Sequence, residues 1–160
     1  MIEKIEGELF YRPVQDGDDP ILFRFFVEGM ALQLPPTMSD AGKELLLNQQ
    51  FLGFKRQMDA NYRGKEEYII INNNEAIGEW RLHRGDNELR LISITLTNSS
   101  RGHGIGSAVI HHIQQEAKKV AKPLALSVAC DNMRAVSLYR NLGFTVRHEG
   151  FPYLEMIWIP

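Results

Sequence analysis

Only one cysteine, Cys130, occurs in the 160 residues, so an internal disulfide and a cysteine-built zinc cage are both excluded. It lies in the apolar run ALSVAC, which predicts a buried small hydrophobe rather than a nucleophile. Charge of either sign is also lacking in excess, since 18 Lys and Arg face 20 Asp and Glu for a net charge of -2. Nucleic acid and anionic lipid therefore meet no global attraction, and any anion site must be local. No segment approaches the ~18 consecutive apolar residues of a membrane span, and the opening MIEKIEGELF has no long apolar stretch. We expect a cytoplasmic protein with neither nucleic-acid nor membrane partners. Repeats and composition breaks are missing too, and the length suits one domain over residues 1–160 whose core needs no staple.

What is present reads as a mixed α/β order. GELFYRPV (7–14) predicts a first strand, and DGDDP offers turn and N-cap chemistry for a helix near ILFRFFVEGMAL (21–32) that Pro35 and Pro36 end. A second helix is predicted from a Ser39 or Asp40 cap through residue 63, with Leu47, Phe51, Phe54 and Met58 on one stripe. EYIIINNNEAIGEWRLH (67–83) predicts a hairpin turning on NNNE, because Asn tolerates left-handed backbone, and ELRLISITLT (88–97) a long strand. Ile105, Ala108, Val109, Ile113, Ala117 and Val120 mark a helix face that stops before Pro123. PLALSVAC predicts a strand, MRAVSLYRNL a helix between an Asn132 cap and Gly143, and FTVRHE and YLEMIWIP two closing strands. The last of these is apolar enough to pair or pack across a homodimer.

The densest signal is SSRGHGIGSAVI (99–110), with three glycines in five positions at the mouth of a helix. A dinucleotide fingerprint needs its third glycine at the sixth position, where Ser107 stands, and an NTPase phosphate loop needs Lys then Ser or Thr where Ser107 and Ala108 follow. Both are excluded. What remains is strand, short loop, Arg101, then Gly104 and Gly106 opening a helix whose first N–H groups lack intrahelical partners. With about half a positive charge from the macrodipole, such an end suits a pyrophosphate.

Arg101-Gly102-His103-Gly104-Ile105-Gly106 resembles the Q/R-x-x-G-x-G/A signature of the GNAT acetyltransferase superfamily, and Asn132-x-x-Ala135-x-x-Leu138-Tyr139-x-x-x-Gly143-Phe144 resembles its second signature. The resemblance covers roughly residues 67 to 150. It implies an α/β (α+β) GNAT fold: a central mixed, mostly antiparallel sheet of about seven strands, splayed at strands 4 and 5, with four helices. It implies acetyl-CoA as co-substrate, its pyrophosphate on Arg101, Gly102, His103, Gly104, Ile105, Gly106 and Ser107, with Asn132 and Tyr139 in the same cleft and backbone groups near Thr95 and Leu96 beside the pantetheine. Asn132 and Tyr139, seven apart, share one face of a helix. Tyr139 is then the acid that protonates the departing thiolate.

The resemblance breaks at the base. An ammonium acceptor must lose a proton before it attacks, and many relatives carry a carboxylate eight or nine residues before the signature Arg, where Ile92 and Ser93 stand here. Glu79 in IGEWRL is the nearest substitute, and Glu88 is expected to face solvent. His111 and His112 are adjacent rather than four apart, so no metal site is expected. The leading expectation is acetyl transfer to a small-molecule or peptide amine in a ternary complex, with the acceptor entering near Phe51, Phe54 and Met58. Its rivals are an acyl-CoA-binding sensor or scaffold that transfers nothing and, more remotely, a nucleotide-diphosphate binder.

Overall fold

The computed structural model describes residues 1–30 and 34–160. The centre of one sheet is formed by β3 (Glu66–Asn72), β4 (Glu75–Arg84) and β5 (Leu89–Leu96), each antiparallel to the next in sequence. The β3–β4 turn rests on Asn73 and Asn74, both at positive φ (50° and 66°), as the NNNE run predicts. Before them come β1 (Glu3–Glu6), β2 (Leu9–Pro13), α1 (Asp19–Met30) and α2 (Asp40–Asn61). After them come α3 (Ile105–Lys119), β6 (Leu124–Ala129), α4 (Met133–Asn141), β7 (Thr145–His148) and β8 (Tyr153–Trp158). The strand order is β1-β2-β3-β4-β5-β6-β8-β7, in which, among the described residues, only β5 and β6 pair in parallel.

Each face of the sheet carries its own apolar layer. On one, Trp80, Ile70, Leu91, Leu126 and Met156 pack against Val109, Ile113 and Val136 of α3 and α4. On the other, Ile69 packs with Leu22, Phe25 and Phe51 of α1 and α2. Each such side chain, fully buried, contributes about 1.5–3 kcal/mol over leaving it in water.

Two bulges shape the sheet. Ile70 pairs with Gly78 and Ile71 with Ala76, which leaves Ile77 as an extra residue in β4, and Arg81 pairs with Ser93 and Leu82 with Leu91, which leaves Ile92 extra in β5. A bulge changes which face the following residues take and bends the strand. Ile77 and Trp80, three apart, thus share the α3 face, while Glu79 and Arg81 turn toward α1 and α2. Beyond the second bulge β5 leaves β6: the two pair only over Leu89–Leu91 and Leu124–Leu126, whereas β6 stays with β8 out to Ala129. The expected splay between the fourth and fifth predicted strands lies here.

Several expectations need correction. Among the described residues the strands number eight, because β1 is added at the N-terminal edge; it is polar, with only Ile5 half-buried, so it carries no periodic signal. The first helix is α1 as far as Met30, and Ala31 and Leu32 of its predicted span lie outside the described residues. Val120 caps the end of α3 and is 46% exposed, and Cys130 is half-buried in the turn after β6. Glu88 is not free in solvent: its carboxylate binds Arg147 at 2.7 Å and Arg90 at 3.4 Å. β8 lies between β6 and β7, so its backbone has no open edge with which to pair across a dimer.

Candidate active site

The glycine loop follows β5 through a 3-10 turn at Asn98–Ser100. The turn is fastened from three sides: Thr97 N donates to Ile77 O at 2.8 Å, Thr97 Oγ1 to the buried Ser100 Oγ at 2.9 Å, and Asn98 N to the Glu28 carboxylate of α1 at 2.7 Å. Gly102 and Gly104 then take positive φ (79° and 77°), a conformation costly for any side chain, and Gly104 is the N-cap of α3. No side chain caps this end, and Ala108 N to Gly104 O, 3.1 Å, is the bond that opens the helix. The N–H groups of Ile105, Gly106 and Ser107 therefore remain donors without intrahelical partners. A Cβ placed on Gly104 would find no heavy atom within 4 Å, so the space over the loop is open. Arg101 and His103 are exposed, and Arg101 Nε reaches Leu96 O at 3.3 Å.

Backbone direction along β5 follows from parity. Thr97 directs its N–H at β4, so Ser93 and Thr95 do the same, and Ile94 and Leu96 direct theirs into the splay. Of the two residues expected beside the pantetheine, Leu96 offers backbone to the cleft, whereas Thr95 offers its backbone to its partner Glu79.

Because β5 and β6 are parallel, α3 and α4 both start at the same end of the sheet, flanking the splay. That is where open α/β sheets bind ligands. Asn132 is the N-cap of α4, its Oδ1 accepting from Ala135 N at 3.2 Å, so only its Nδ2 donors are left for anything lying above. Tyr139, two turns on, packs against Phe144 with ring centroids 5.7 Å apart, and burial raises its phenol above the ordinary value, which keeps it protonated. Sequence reading missed Arg134. Its Nη2 lies 3.7 Å from where a Gly102 Cβ would stand, which adds a second cation beside Arg101 at the loop.

On the opposite face of β4 and β5, Glu79, Arg81, Ser93 and Thr95 line a cavity of about 230 Å³ with Phe26, Phe51 and Phe54. Glu79 is 6% exposed and Arg81 3%. The guanidinium of Arg81 binds Glu79 Oε1, donates to Ser93 Oγ at 3.2 Å, lies 3.4 Å from Glu67 and sits over the Phe54 ring at 5.0 Å. Glu79 Oε2 is buried and has no partner among the described residues. Burial raises the Glu79 carboxyl above the usual carboxylate range, and Arg81 only partly opposes it. Met58 is half-buried and does not line this cavity, and Ile92, one of the two positions where relatives carry a carboxylate, is the bulge itself.

Residues 38–144 match the acetyltransferase (GNAT) family. The chain belongs to that family. The α3 loop, β5 and β6 all lie within the matched residues. No curated protein matches the sequence. Among solved structures, the PaiA N-acetyltransferase of Thermoplasma acidophilum in complex with coenzyme A is similar over 96% of this chain and 100% of its own, with a TM-score of 0.72 at 16% identity. A GNAT acetyltransferase of Elizabethkingia anophelis with acetyl-CoA bound is similar over 97% and 100%, with a TM-score of 0.64 at 18% identity. The Salmonella typhimurium acetyltransferase that modifies the N-terminal serine of ribosomal protein L7/L12 is similar over 98% and 96%, with a TM-score of 0.66 at 17% identity. At these identities the likeness carries the GNAT fold. For coenzyme A the fit rests on this chain's own features: open space over Gly104, uncapped N–H groups, the two arginines and the bare β5 edge. Among the described residues no helix is long and apolar enough to cross a membrane, and no cluster of three metal-ligating side chains occurs.

Proposed function

We propose that the protein is an N-acetyltransferase that carries an acetyl group from acetyl-CoA to an amine by direct transfer in a ternary complex. One observation carries the reading: an uncapped helix start and an unpaired strand edge lie one strand away from a buried carboxylate with a free oxygen. Acetyl-CoA supplies an acyl carbon activated as a thioester. The α3 loop from Arg101 to Ser107, with Asn132 and Arg134, holds the pyrophosphate, and the Leu96 N–H in the splay donates to the acyl oxygen as charge grows there. Glu79 takes one proton from the acceptor ammonium, and its raised carboxyl brings it closer to the working pH of a base. The N–C bond forms as the C–S bond breaks. Tyr139 gives its phenolic proton to sulfur, regains one from water, and the second amine proton leaves to solvent. The acceptor is a small-molecule or peptide amine, and residues 1–160 act as one domain without a metal.

The test is release of free thiol from acetyl-CoA in the presence of amines, for wild type and Tyr139→Phe. The expected result is turnover by wild type and a fall in kcat of about 100-fold or more in the variant, at unchanged coenzyme A affinity. Full activity of Tyr139→Phe would remove the acid role. Coenzyme A binding with no turnover of any amine would mean a binding module.

A further inference from the structure

The 3-10 turn that leads into the α3 loop is capped from a distant part of the chain. Thr97, at its N-cap, makes no side-chain cap bond and uses its hydroxyl on Ser100 Oγ instead. The carboxylate that fills the place belongs to Glu28 of α1, whose Oε1 accepts from Asn98 N at 2.7 Å although 70 residues separate the two. A side-chain oxygen on the first N–H of a turn is what a capping residue supplies, so α1 caps the turn in place of its own segment. Within the turn the bonds are local: Ser100 N donates to Thr97 O at 3.0 Å and Arg101 N to Asn98 O at 3.4 Å, and Gly102 and Gly104 follow. α1 is also a wall of the cavity that holds Glu79, through Leu22, Phe25 and Phe26. One helix thus touches both halves of the site, the cavity with its apolar side chains and the approach to the α3 loop with one carboxylate.

We infer, on the reading that coenzyme A lies over the α3 loop, that Glu28 is a positioning residue: by capping the turn at Asn98 it sets the place of the Arg101 to Ser107 loop and couples coenzyme A binding to the packing of α1. Coupling of this kind is reciprocal, so coenzyme A that holds the loop also holds α1, and a filled cavity that holds α1 favours coenzyme A. Two roles for the carboxylate differ in sign. As a bare charge near an anion site it repels coenzyme A, and its removal would tighten binding. As a cap it arranges the loop in advance, and loss of the bond weakens binding. Arg24 provides a control on the same helix, since its Nη2 donates to Ala76 O at 3.3 Å and ties α1 to β4 rather than to Asn98.

Coenzyme A is titrated by calorimetry into wild type, Glu28→Ala, Glu28→Gln and Arg24→Ala, and hydrogen exchange of the α1 backbone over residues 22–28 is read with and without saturating coenzyme A. Glu28→Ala should bind about fivefold more weakly than wild type. Glu28→Gln keeps an oxygen for Asn98 N but loses the charge, so it should bind at least as tightly as wild type. Coenzyme A should slow α1 exchange in wild type, Glu28→Gln and Arg24→Ala, and leave it unchanged in Glu28→Ala. A Glu28 that served only the fold would alter the resting exchange of the Ala variant and leave its response to coenzyme A in place, which would overturn the inference. Equal or tighter binding by Glu28→Ala would also overturn it, as would loss of the response in Arg24→Ala. Two results do so whatever the stability of Glu28→Ala: binding by Glu28→Gln about fivefold weaker than wild type, and wild type that binds coenzyme A with no change in α1 exchange. In all of these the donor site stands, whereas wild type that binds no coenzyme A would remove that site and this inference with it.

Discussion

Helices α3 and α4 start side by side at one end of the sheet, and their first turns are built in opposite ways. At α4 the chain satisfies its own donors: Asn132 Oδ1 accepts from Ala135 N, as Ser39 Oγ accepts from Gly42 N at the start of α2. At α3 a left-handed Gly104 stands where a capping side chain would, and nothing among the described residues takes the N–H groups that follow. A polar N-cap is commonly worth about 0.5–2 kcal/mol over alanine, so the bare end forgoes stability that its neighbours have. The difference teaches that α2 and α4 satisfy a first-turn donor with their own side chain, whereas α3 leaves its first-turn donors open.

Four substitutions probe that contrast. Gly104→Val should be the most damaging: a β-branched residue resists φ near 77°, and its side chain would fill the open space above the loop. The expected outcome is loss of coenzyme A binding by about 100-fold or more in a titration, with a circular dichroism spectrum that stays native. Ser107→Asp should separate fold from function. A carboxylate at the third helical position favours the positive end of the dipole by about 0.3–1 kcal/mol, so the apo protein should melt higher while coenzyme A binds about tenfold more weakly, since two anions compete for one set of donors. Asn132→Ala should have the smallest and reverse balance, with about 1 kcal/mol of stability lost with the α4 cap and coenzyme A affinity reduced only by the Nδ2 donors. Ser39→Ala removes a comparable cap far from the splay and should leave the titration unchanged.

How legible this was depends on the range of each interaction. The α3 loop and the Asn132 to Tyr139 helix could be read because spacing within a dozen residues decides them: glycines at positive φ, a cap three residues before Ala135, and two side chains on one helical face. β1 could not, because a polar edge strand with one half-buried residue has no pattern to detect. The bulges at Ile77 and Ile92 are properties of register between strands, and they decide which face Glu79 and Arg81 take. Glu79 could thus be named from its position on the strand, but its pairing with Arg81 and Ser93 under the phenylalanines of α1 and α2 could not. Arg134 escaped notice for the same reason, since its nearness to Gly102 exists only once two separate loops meet.

The most direct test of the central claim is the set of backbone amide resonances of the isotope-labelled protein during a coenzyme A titration. The account predicts that Gly104, Ile105, Gly106 and Ser107 shift together and saturate as one event, while Gly42 at the capped start of α2 does not move. Saturation that leaves the Gly104 to Ser107 amides in place, with shifts elsewhere, would contradict it.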